Sequence, residues 1–421
     1  MNELQGMKVC LVWQRYGPYH RARLNAAADF FERNGGRVVG VEIASQGGLH
    51  DWQQETPGRA ELITLFPERS VECLSRRQVY RSMRSLLDQV DPTAVAVPAY
   101  SAPESHAALA WARDRRRVAV VMADSTRDDA VRSPLRERAK RAIVSQFDAA
   151  LAAGTPQLRY ICDLGIPQER VFKPYDVVDS DFFASHAAAV RSNPAPYEHL
   201  PGLGSTTPFF LASGRFIERK NFEALTVAYR DYRLLDRTGE PWNLVILGDG
   251  PRRPQLAAIA DAFVPSGAIT LPGYRQLDEA AAYYGLAGAF VHPATIEPWG
   301  LVINEAMAAG LPVLASISVG ATEDLVTDGV TGFTFDPHNR QSMTAALQRI
   351  SAPDTDRLGM GENSIERIAS WSPECFAGGL WRAVASGVRP RSSSLPPGVR
   401  LLLWGNTVIP RRALAWRSVE P

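Results

Sequence analysis

The chain has 421 residues, which is too long for one hydrophobic core and predicts two domains. Hydrophobic residues make up 45% and charged residues 22%, which is ordinary for a soluble globular protein. Lys and Arg together number 46 against 45 Asp and Glu, and this balance argues against nucleic acid as the main partner.

The cysteines and the apolar runs indicate the compartment. Cys10, Cys73, Cys162 and Cys375 are widely scattered and form no CxxC pair. A disulfide framework or a zinc site is therefore not expected, and a reducing cytoplasm fits the pattern. The first residues lack the basic start and long apolar region of a signal peptide. No apolar run reaches about 18 residues, so no transmembrane helix is predicted.

Strands and helices alternate through the N-terminal half. Residues 7–13 predict a buried strand, and LNAAADFFERNGG predicts a helix that ends at Gly35 and Gly36. After the strand VVGVEI, residues 44–60 are polar and glycine-rich and predict a loop. Residues 76–90 predict an amphipathic helix, and the strands AVAVPAY, VAVVMADS and FDAALAAG follow with helices between them. The alternation predicts a doubly wound parallel sheet, and without GxGxxG a dinucleotide is not implied.

The loop after the first strand, WQRYGPYHRAR, is polar, aromatic and basic. Two interpretations of Tyr19, His20 and Arg21 stay open. These residues either serve a site, or they are surface residues at the start of the next helix. Cations at a helix N-terminus oppose the helix dipole, and this unfavourable placement is the reason to consider a function.

The alternation resumes in the C-terminal half. Residues 186–208 are rich in Pro, Gly and Ser, which indicates an interdomain linker. FFLAS then predicts a strand, GRFIERK a loop flanked by Arg215 and Lys220, and NFEALTVAYR a helix. NLVILGDGP predicts a strand with a tight Gly-Asp-Gly turn, and ERIASWSPECFAGGLWRAVAS predicts the long C-terminal helices.

The segment 294–336 contains the densest set of candidate functional residues. It follows the apolar strand AFVH, and its loop carries Glu297. LVINEAMAAG then predicts a helix that contains Glu305, and VLAS predicts the next strand. Ligands of open α/β sheets bind at the carboxyl ends of the strands, and the helix N-terminus near Gly300 and Leu301 suits a phosphate. Together these features describe a nucleotide-sugar site, although either glutamate alone could be a solvated or dipole-complementing residue.

The string EPWGLVINEAMAAGLPVLAS, with Gly320, Glu323 and DGVTGF downstream, resembles the donor-site signature of retaining glycosyltransferases of family 4, which have the GT-B fold. That signature carries two glutamates separated by seven residues, a Gly-Leu after the first, a Gly-Leu-Pro turn and a downstream Asp-Gly-x-Thr-Gly. The segment 318–321, SVGA, departs from the family, which more often has consecutive glycines there. The resemblance covers roughly 5–385 and is dense over 208–336.

The resemblance implies an α/β fold of the GT-B type, with two Rossmann-like doubly wound domains facing a central cleft. The implied organisation is an acceptor-binding domain (1–185), a linker (186–208), a nucleotide-sugar-binding domain (209–370), a C-terminal helix that crosses back to the first domain (371–386) and a tail with Arg and Trp (387–421).

The resemblance also implies roles for individual residues. Gly-Arg-Phe-x-x-x-Lys-Asn is similar to the family's diphosphate clamp, whose cations stabilise the leaving group without a metal. No DxD-like acidic pair stands beside a predicted strand in the donor half, so no metal is expected. The implied catalytic residues are Arg215, Lys220, Glu297 and Asp124; the donor-binding residues are Gly17, Gly214, Gly248, Gly273, Tyr274, Gly300, Leu301 and Glu305; the acceptor residues are Tyr19, His20 and Arg21.

One absence separates this sequence from many members of the family. They carry a His in the loop after the strand that corresponds to VAVVM, whereas this chain has ADST. Asp124 in this loop either hydrogen-bonds a hydroxyl of the sugar or acceptor, or forms an Asx-type loop cap.

The implied function is retaining, metal-independent transfer of a sugar from a nucleotide-diphosphate donor to a saccharide, lipid-linked or small-molecule acceptor. A role in cell-envelope or exported polysaccharide or glycolipid synthesis is expected. The alternatives are an epimerase or phosphorylase on the same fold, or a catalytically inactive binding subunit. An epimerase needs an acid/base set around the sugar and a phosphorylase a pyridoxal-bearing Lys, and neither can be assigned.

The tail, 387–421, combines a linker-like GVRPRSSSLPPG with an apolar stretch that contains arginines, Trp404 and Trp416. Three interpretations stay open: an interfacial membrane segment, a strand-and-turn extension packed on the body of the protein, or disorder. The basic helix SPLRERAKRAIVSQF is either a solvated face or lies near an acidic membrane or lipid-phosphate acceptor. Weak peripheral contact with the inner face of the cytoplasmic membrane is therefore an expectation.

Overall fold

The computed structural model describes residues 6–47, 58–204, 207–236, 239–263, 265–387 and 394–408. The chain divides into two compact units, the first ending at Val178 and the second spanning Asp179–Ser372. The chain returns to the first unit at Pro373.

The first unit is built on a parallel sheet with the strand order β3-β2-β1-β4-β5-β6-β7. Its elements before Val178 are β1 (Lys8–Trp13), α1 (Pro18–Arg33), β2 (Arg37–Gln46), β3 (Leu62–Ser70), α2 (Arg76–Val90), β4 (Ala94–Pro98), α3 (Pro103–Arg115), β5 (Val118–Ala123), α4 (Pro134–Val144), β6 (Ala149–Ala152), α5 (Thr155–Asp163) and β7 (Val171–Phe172).

The sequence pattern of each element explains where it lies. The central strand β5 (VAVVMA) is a continuous apolar run because every one of its residues is buried, as expected for a parallel strand covered on both faces. In α2 the buried residues are Val79, Met83, Leu86 and Leu87, a spacing that places them along one helix face. Burying each such side chain contributes roughly 1.5–3 kcal/mol to folding.

The second unit contains a second parallel sheet, with the order β10-β9-β8-β11-β12-β13. Its elements are α6 (Ser180–Ser192), β8 (Phe209–Ser213), α7 (Phe222–Leu235), β9 (Asn243–Leu247), α8 (Arg253–Asp261), β10 (Ile269–Gly273), α9 (Leu277–Leu286), β11 (Ala289–His292), α10 (Leu301–Ala308), β12 (Val313–Ser316), α11 (Thr322–Leu325), β13 (Gly332–Phe335), α12 (Arg340–Ser351) and α13 (Arg357–Ile368).

Both sheets reverse their strand order at one point, between β1 and β4 in the first and between β8 and β11 in the second. Ligands of such sheets bind beyond the carboxyl ends of the strands at this reversal. The predicted fold class, two Rossmann-like doubly wound α/β domains, is therefore confirmed. The reversal between β8 and β11 predicts a ligand site in the second unit.

Two helices complete the first unit after the chain returns to it. The first, α14 (Pro373–Ser386), packs on α1, β5, β6 and β7. The second, α15 (Pro397–Val408), packs on α2, α3 and α4 and buries Leu395, Val399 and Leu403 in the core of the unit. This part of the tail packs on the first unit, as one interpretation expected, but as a helix and not as the expected strand and turn. Trp416 lies outside the described residues.

Three local expectations differ from the structure. The loop after β1 is shorter than expected, because Gly17 is the N-cap of α1 and Pro18 its first residue. An additional strand, β3, follows the expected loop at 44–60, of which residues 48–57 lie outside the description. The segment 186–208, expected to be a linker, begins inside α6, whose N-cap Asp179 accepts a hydrogen bond from the Phe182 amide.

None of the helices in the described part of the chain combines the length and the apolar character needed to cross a bilayer.

Candidate functional site

The site lies in the second unit, where the loops that follow β8 and β11 meet. Asn221 holds them together, because its Nδ2 donates to the carbonyl oxygens of Pro293 and Pro337, each at 3.1 Å. The backbone amide of Thr295 donates to the carbonyl oxygen of Arg219 at 2.9 Å. Asn221 has φ +60°, a left-handed conformation that Asn tolerates better than most residues. The sequence thus fixes the β8 loop against the β11 loop.

Three of the predicted donor-binding glycines lie at the ends of neighbouring strands. Gly214 follows β8, Gly248 follows β9, and Gly273 ends β10. The amide of Gly214 donates to the Leu247 carbonyl oxygen at 3.1 Å, and that of Gly248 donates to the Gly273 carbonyl oxygen at 3.0 Å. A β-carbon on Gly248 would collide with the carbonyl oxygen of Gly214. Only glycine therefore permits this close approach of backbone. The guanidinium of Arg253 lies beside these strand ends, with Nη1 3.5 Å from the Gly248 carbonyl oxygen.

Two arginines near the end of β8, Arg215 and Arg219, have no counterion in the part of the chain that the structure describes. Among the described residues, neither Arg215 nor Arg219 has a carboxylate within ion-pair distance of its guanidinium. Burial lowers the pKa of Arg215, and the neighbouring charge of Arg219 lowers it further. The Nε of Arg219 is buried without a hydrogen-bond partner in the described residues. Two such cations side by side repel each other, and an anion between them would relieve both costs.

Lys220 forms a cation cluster with Arg215 and Arg219, and it pairs with Glu297. The two side chains form an ion pair, and each is only 12% exposed. Burial alone would raise the pKa of Glu297, but the charge of Lys220 and the nearby His292 outweigh it and hold the pKa well below its usual range. The carboxylate is therefore ionised throughout the neutral range. Lys220 retains donors beyond this pair, because an ammonium group has three.

The backbone of Glu297 is also fixed. Its carbonyl oxygen accepts from the Gly320 amide at 2.9 Å, and Glu297 forms a parallel bridge with Val319. The segment SVGA, which departs from the family pattern, therefore supports the loop that carries the carboxylate.

The N-terminus of α10 adjoins this carboxylate. Gly300, its N-cap, has φ +103°, and a β-carbon there would lie 3.1 Å from Val319 Cγ1 and 3.5 Å from Glu297 Cγ. Leu301 is the first helical residue, as predicted. The first amides of a helix have no intrahelical acceptor and carry a partial positive charge, so this end of α10 adds donors to the cation cluster.

Glu305 lies one turn further along α10 in a different environment. It is 6% exposed, and its Oε2 accepts from the Tyr284 hydroxyl of α9 at 2.6 Å. The two glutamates thus have different partners, a buried cation for Glu297 and a tyrosine hydroxyl for Glu305. Tyr274, the remaining predicted donor residue of this unit, follows β10 and is 45% exposed.

The other candidate residues lie in the first unit. Gly17 caps α1, and Tyr19, His20 and Arg21 occupy its first turn, not a loop as predicted. The Nδ1 of His20 accepts from the Gly17 amide at 3.2 Å, and the guanidinium of Arg21 lies 5.8 Å from the Tyr16 ring centroid. Asp124 follows β5 and is exposed.

The sequence analysis missed two residues of the site, Arg219 and His292. Arg219 is one of two consecutive cations before Asn221. These consecutive charges were the available signal, but the motif Gly-Arg-Phe-x-x-x-Lys-Asn leaves position 219 unspecified. His292 ends the apolar run AFVH, so its polarity at a buried strand end was the available signal. In the described part of the chain, no group of three or more His, Cys, Asp or Glu side chains is arranged to hold a metal ion.

Comparison with known families supports this placement of the site. The family described as Glycosyl transferases group 1 matches residues 201–367, which include the whole cation cluster, Glu297 and Glu305. The matched region lies within the second unit. The matched region begins after Val178 and ends before α14, so the first unit lies outside the match.

Curated relatives resemble the chain over less than half of its length. Alpha-D-kanosaminyltransferase of Streptomyces kanamyceticus is 29% identical over 199 residues, which is 47% of this chain and 50% of the relative. The lipopolysaccharide core biosynthesis glycosyltransferase LpsE of Rhizobium meliloti is 28% identical over 180 residues, 42% of this chain and 50% of the relative. The chain spans about half the length of these two curated relatives.

Solved structures resemble the whole fold. HepE of Anabaena, in complex with UDP, matches with a TM-score of 0.68 at 15% identity, over 90% of this chain and 100% of that chain. Sucrose-phosphate synthase of Thermosynechococcus elongatus matches with a TM-score of 0.65 at 19% identity, over 89% of this chain and 98% of that chain. The structural neighbours are GT-B glycosyltransferases, and the fold of this chain is of the GT-B type.

Proposed function

We propose that this protein is a retaining, metal-independent glycosyltransferase of family 4 that moves a sugar from a nucleotide-diphosphate donor to an acceptor. The observation that carries the proposal is the set of three cations after β8, Arg215, Arg219 and Lys220, of which only Lys220 pairs with a carboxylate in the described residues, at the strand-order reversal of the matched region. Glu297 balances the charge of Lys220, so Arg215 and Arg219 leave an excess of positive charge, and a diphosphate would neutralise it.

The donor would lie across the ends of β8, β9 and β11. Its diphosphate would accept hydrogen bonds from Arg215, Arg219, Lys220 and the first amides of α10. Glu297 would accept from the sugar hydroxyls, and Glu305 from the ribose hydroxyls. The backbone at Gly214, Gly248 and Gly273 would lie beside the nucleoside.

The reaction would proceed on one face of the sugar. The acceptor oxygen forms a bond to the anomeric carbon as the bond from that carbon to the diphosphate oxygen breaks, and the acceptor proton passes to an oxygen of the departing diphosphate. Negative charge grows on the diphosphate in this step, and the fixed cations stabilise it without reorganisation. No enzyme nucleophile is required.

The acceptor would be bound by the first unit, with Tyr19, His20, Arg21 and Asp124 as its candidate residues. A saccharide or lipid-linked acceptor in cell-envelope or exported polysaccharide synthesis is the class we propose. The lipopolysaccharide role in the name of LpsE supports this choice.

The test is release of free nucleotide from a panel of UDP, GDP, ADP and dTDP sugars, with UDP-glucose first because HepE of Anabaena was solved with UDP and with UDP-glucose. We expect the nucleoside diphosphate of one base to be released faster than in a protein-free control, with the anomeric configuration of the donor retained in the product. Release of a changed nucleotide sugar in place of nucleotide would identify an epimerase. No turnover of any donor, together with tight nucleotide binding, would identify an inactive binding subunit.

Metal removal gives a further prediction. We expect EDTA to leave turnover unchanged, because the proposed neutralisation of the diphosphate uses protein cations where other enzymes use a bridging Mg²⁺. The measurement is nucleotide release before and after chelation. Loss of activity that added Mg²⁺ or Mn²⁺ restores would contradict the cation-cluster mechanism.

Membrane contact is proposed for the exposed side of α15. Leu401 and Trp404 are 67% and 62% exposed there, whereas truncation after residue 385 would also delete the buried Leu395, Val399 and Leu403. A point substitution is therefore the cleaner test. We expect Leu401→Glu to weaken binding to phosphatidylglycerol vesicles about tenfold. This corresponds to the loss of about the free energy of burying one leucine side chain.

The matched control for this test is Leu358→Glu, because Leu358 of α13 is 84% exposed in the second unit. Vesicle sedimentation of the three proteins provides the measurement. Equal sedimentation of the wild type and Leu401→Glu would exclude α15 as a membrane contact.

A further inference from the structure

His292 occupies a position that a purely structural role does not explain. It is the last residue of β11, it is fully buried, and its backbone is held in register with Ala315 of β12. Neither ring nitrogen has a hydrogen-bond partner among the described residues. A buried polar group without a partner destabilises a fold, whereas an apolar side chain at this strand end would not.

The imidazole faces the carboxylate of the site. His292 Nε2 lies 3.5 Å from Oε2 of Glu297, just beyond hydrogen-bond distance, and Oε2 is the oxygen that also accepts from Lys220. A small movement of the carboxylate would complete a hydrogen bond from Nε2–H. Gly300 leaves room for this movement, because a β-carbon there would lie 3.6 Å from His292 Nε2 and 3.5 Å from Glu297 Cγ.

The charge state of the ring fits a hydrogen-bond donor. Burial lowers the pKa of His292, and the charges of Lys220 and Arg219 also lower it, whereas Glu297 raises it. A neutral imidazole carries one N–H and one bare nitrogen, so only one of its two tautomers can donate to the carboxylate.

We propose that His292 is a positioning residue for Glu297. The Nε2–H of His292 donates to the carboxylate and holds it toward the sugar when the donor diphosphate shares Lys220. This inference rests on the proposed function. In the free protein Glu297 has Lys220 as its partner. When the diphosphate attracts the same ammonium group, that pair weakens, and His292 is the second donor that keeps the carboxylate in place.

The first arm of the test needs no donor substrate. The ring nitrogens of the seven histidines are observed by ¹⁵N NMR, and the His292 signal is assigned by its loss in His292→Gln. We expect the neutral Nε2–H tautomer at pH 7 and a change in the Nε2 shift when UDP is added. The Nδ1–H tautomer, which presents a bare nitrogen to the carboxylate, would overturn the proposal.

The second arm uses the nucleotide sugar that the wild type turns over. His292→Leu removes both ring nitrogens, and we expect kcat to fall about 10- to 100-fold, as for a misplaced reacting group, with UDP binding unchanged. His292→Gln places an amide nitrogen near the position of Nε2 and should restore most of kcat. His292→Asn is the matched control, because its amide reaches only the position of Nδ1 and should not restore it.

The outcomes separate this inference from the proposed function. Absence of nucleotide release by the wild type would contradict the proposed function, and the tautomer would still decide whether Nε2–H faces Glu297. Active wild type with full kcat in folded His292→Leu would overturn the positioning role. Equal loss in the Leu, Gln and Asn variants, with lowered melting temperatures, would show that the residue is needed only for packing.

Discussion

Replacing Arg215 by alanine is expected to lower turnover of the nucleotide-sugar donor by about 10²–10³-fold, the usual effect of losing one preorganised donor to developing charge. Arg215 has no carboxylate partner among the described residues, so its removal breaks no ion pair in the free protein. Lys220→Ala should have an effect of similar size on turnover. It also leaves Glu297 buried without its cation, which should lower thermal stability as well.

The control for the cation cluster is Arg340→Ala. Arg340 belongs to the same unit but pairs with Asp231 on the surface and is half exposed. It should keep full activity, because exposed ion pairs contribute little and this one does not belong to the cluster. Turnover of each variant is measured with the donor that the panel identifies. Full activity in both Arg215→Ala and Lys220→Ala would show that the diphosphate binds elsewhere.

The two glutamates are expected to act on different halves of the donor. Glu305→Gln should weaken binding of the free nucleoside diphosphate by roughly 1–3 kcal/mol, because a ribose hydroxyl pair loses its charged acceptor. Glu297→Gln should leave that binding unchanged or slightly tighter, since Lys220 becomes free for the diphosphate, while turnover of the intact donor falls. Calorimetry with the nucleoside diphosphate, compared with turnover, measures both effects.

Tyr284→Phe is the control for this pair of variants. It removes the hydroxyl that donates to Glu305 but keeps the carboxylate, so it reports how far that hydrogen bond alone orients Glu305. If Glu297→Gln abolishes nucleotide binding and Glu305→Gln does not, the two roles are reversed.

Local pattern predicted most of the second unit correctly. The strands AFVH and VLAS were placed with the bounds that the structure shows, because short apolar runs between Gly and Pro are typical of buried parallel strands. The strand β3 was missed because it is an edge strand, largely unburied, and contains Pro67 and charged residues. The start of α1 was missed although Gly-Pro at its N-terminus is a recognised signal for a first helical turn.

The site was predictable to the extent that motifs define it. Lys220 and Glu297, which the motif implied, form an ion pair because their loops meet. The role proposed for His292 has no motif in the sequence, and its polarity at the end of the buried run AFVH was the only signal noted above. The Tyr284 hydroxyl bond to Glu305 depends on how α9 and α10 pack.

The most direct test of the central claim is a crystal structure of the protein with the nucleoside diphosphate that the release assay identifies. The account predicts both phosphates beyond the ends of β8 and β11, with oxygens within about 4 Å of the Arg215 guanidinium and the Lys220 ammonium. The ribose should approach Glu305. A nucleotide bound away from this cluster, or a diphosphate held by a metal ion with Arg215 and Lys220 unengaged, would contradict it.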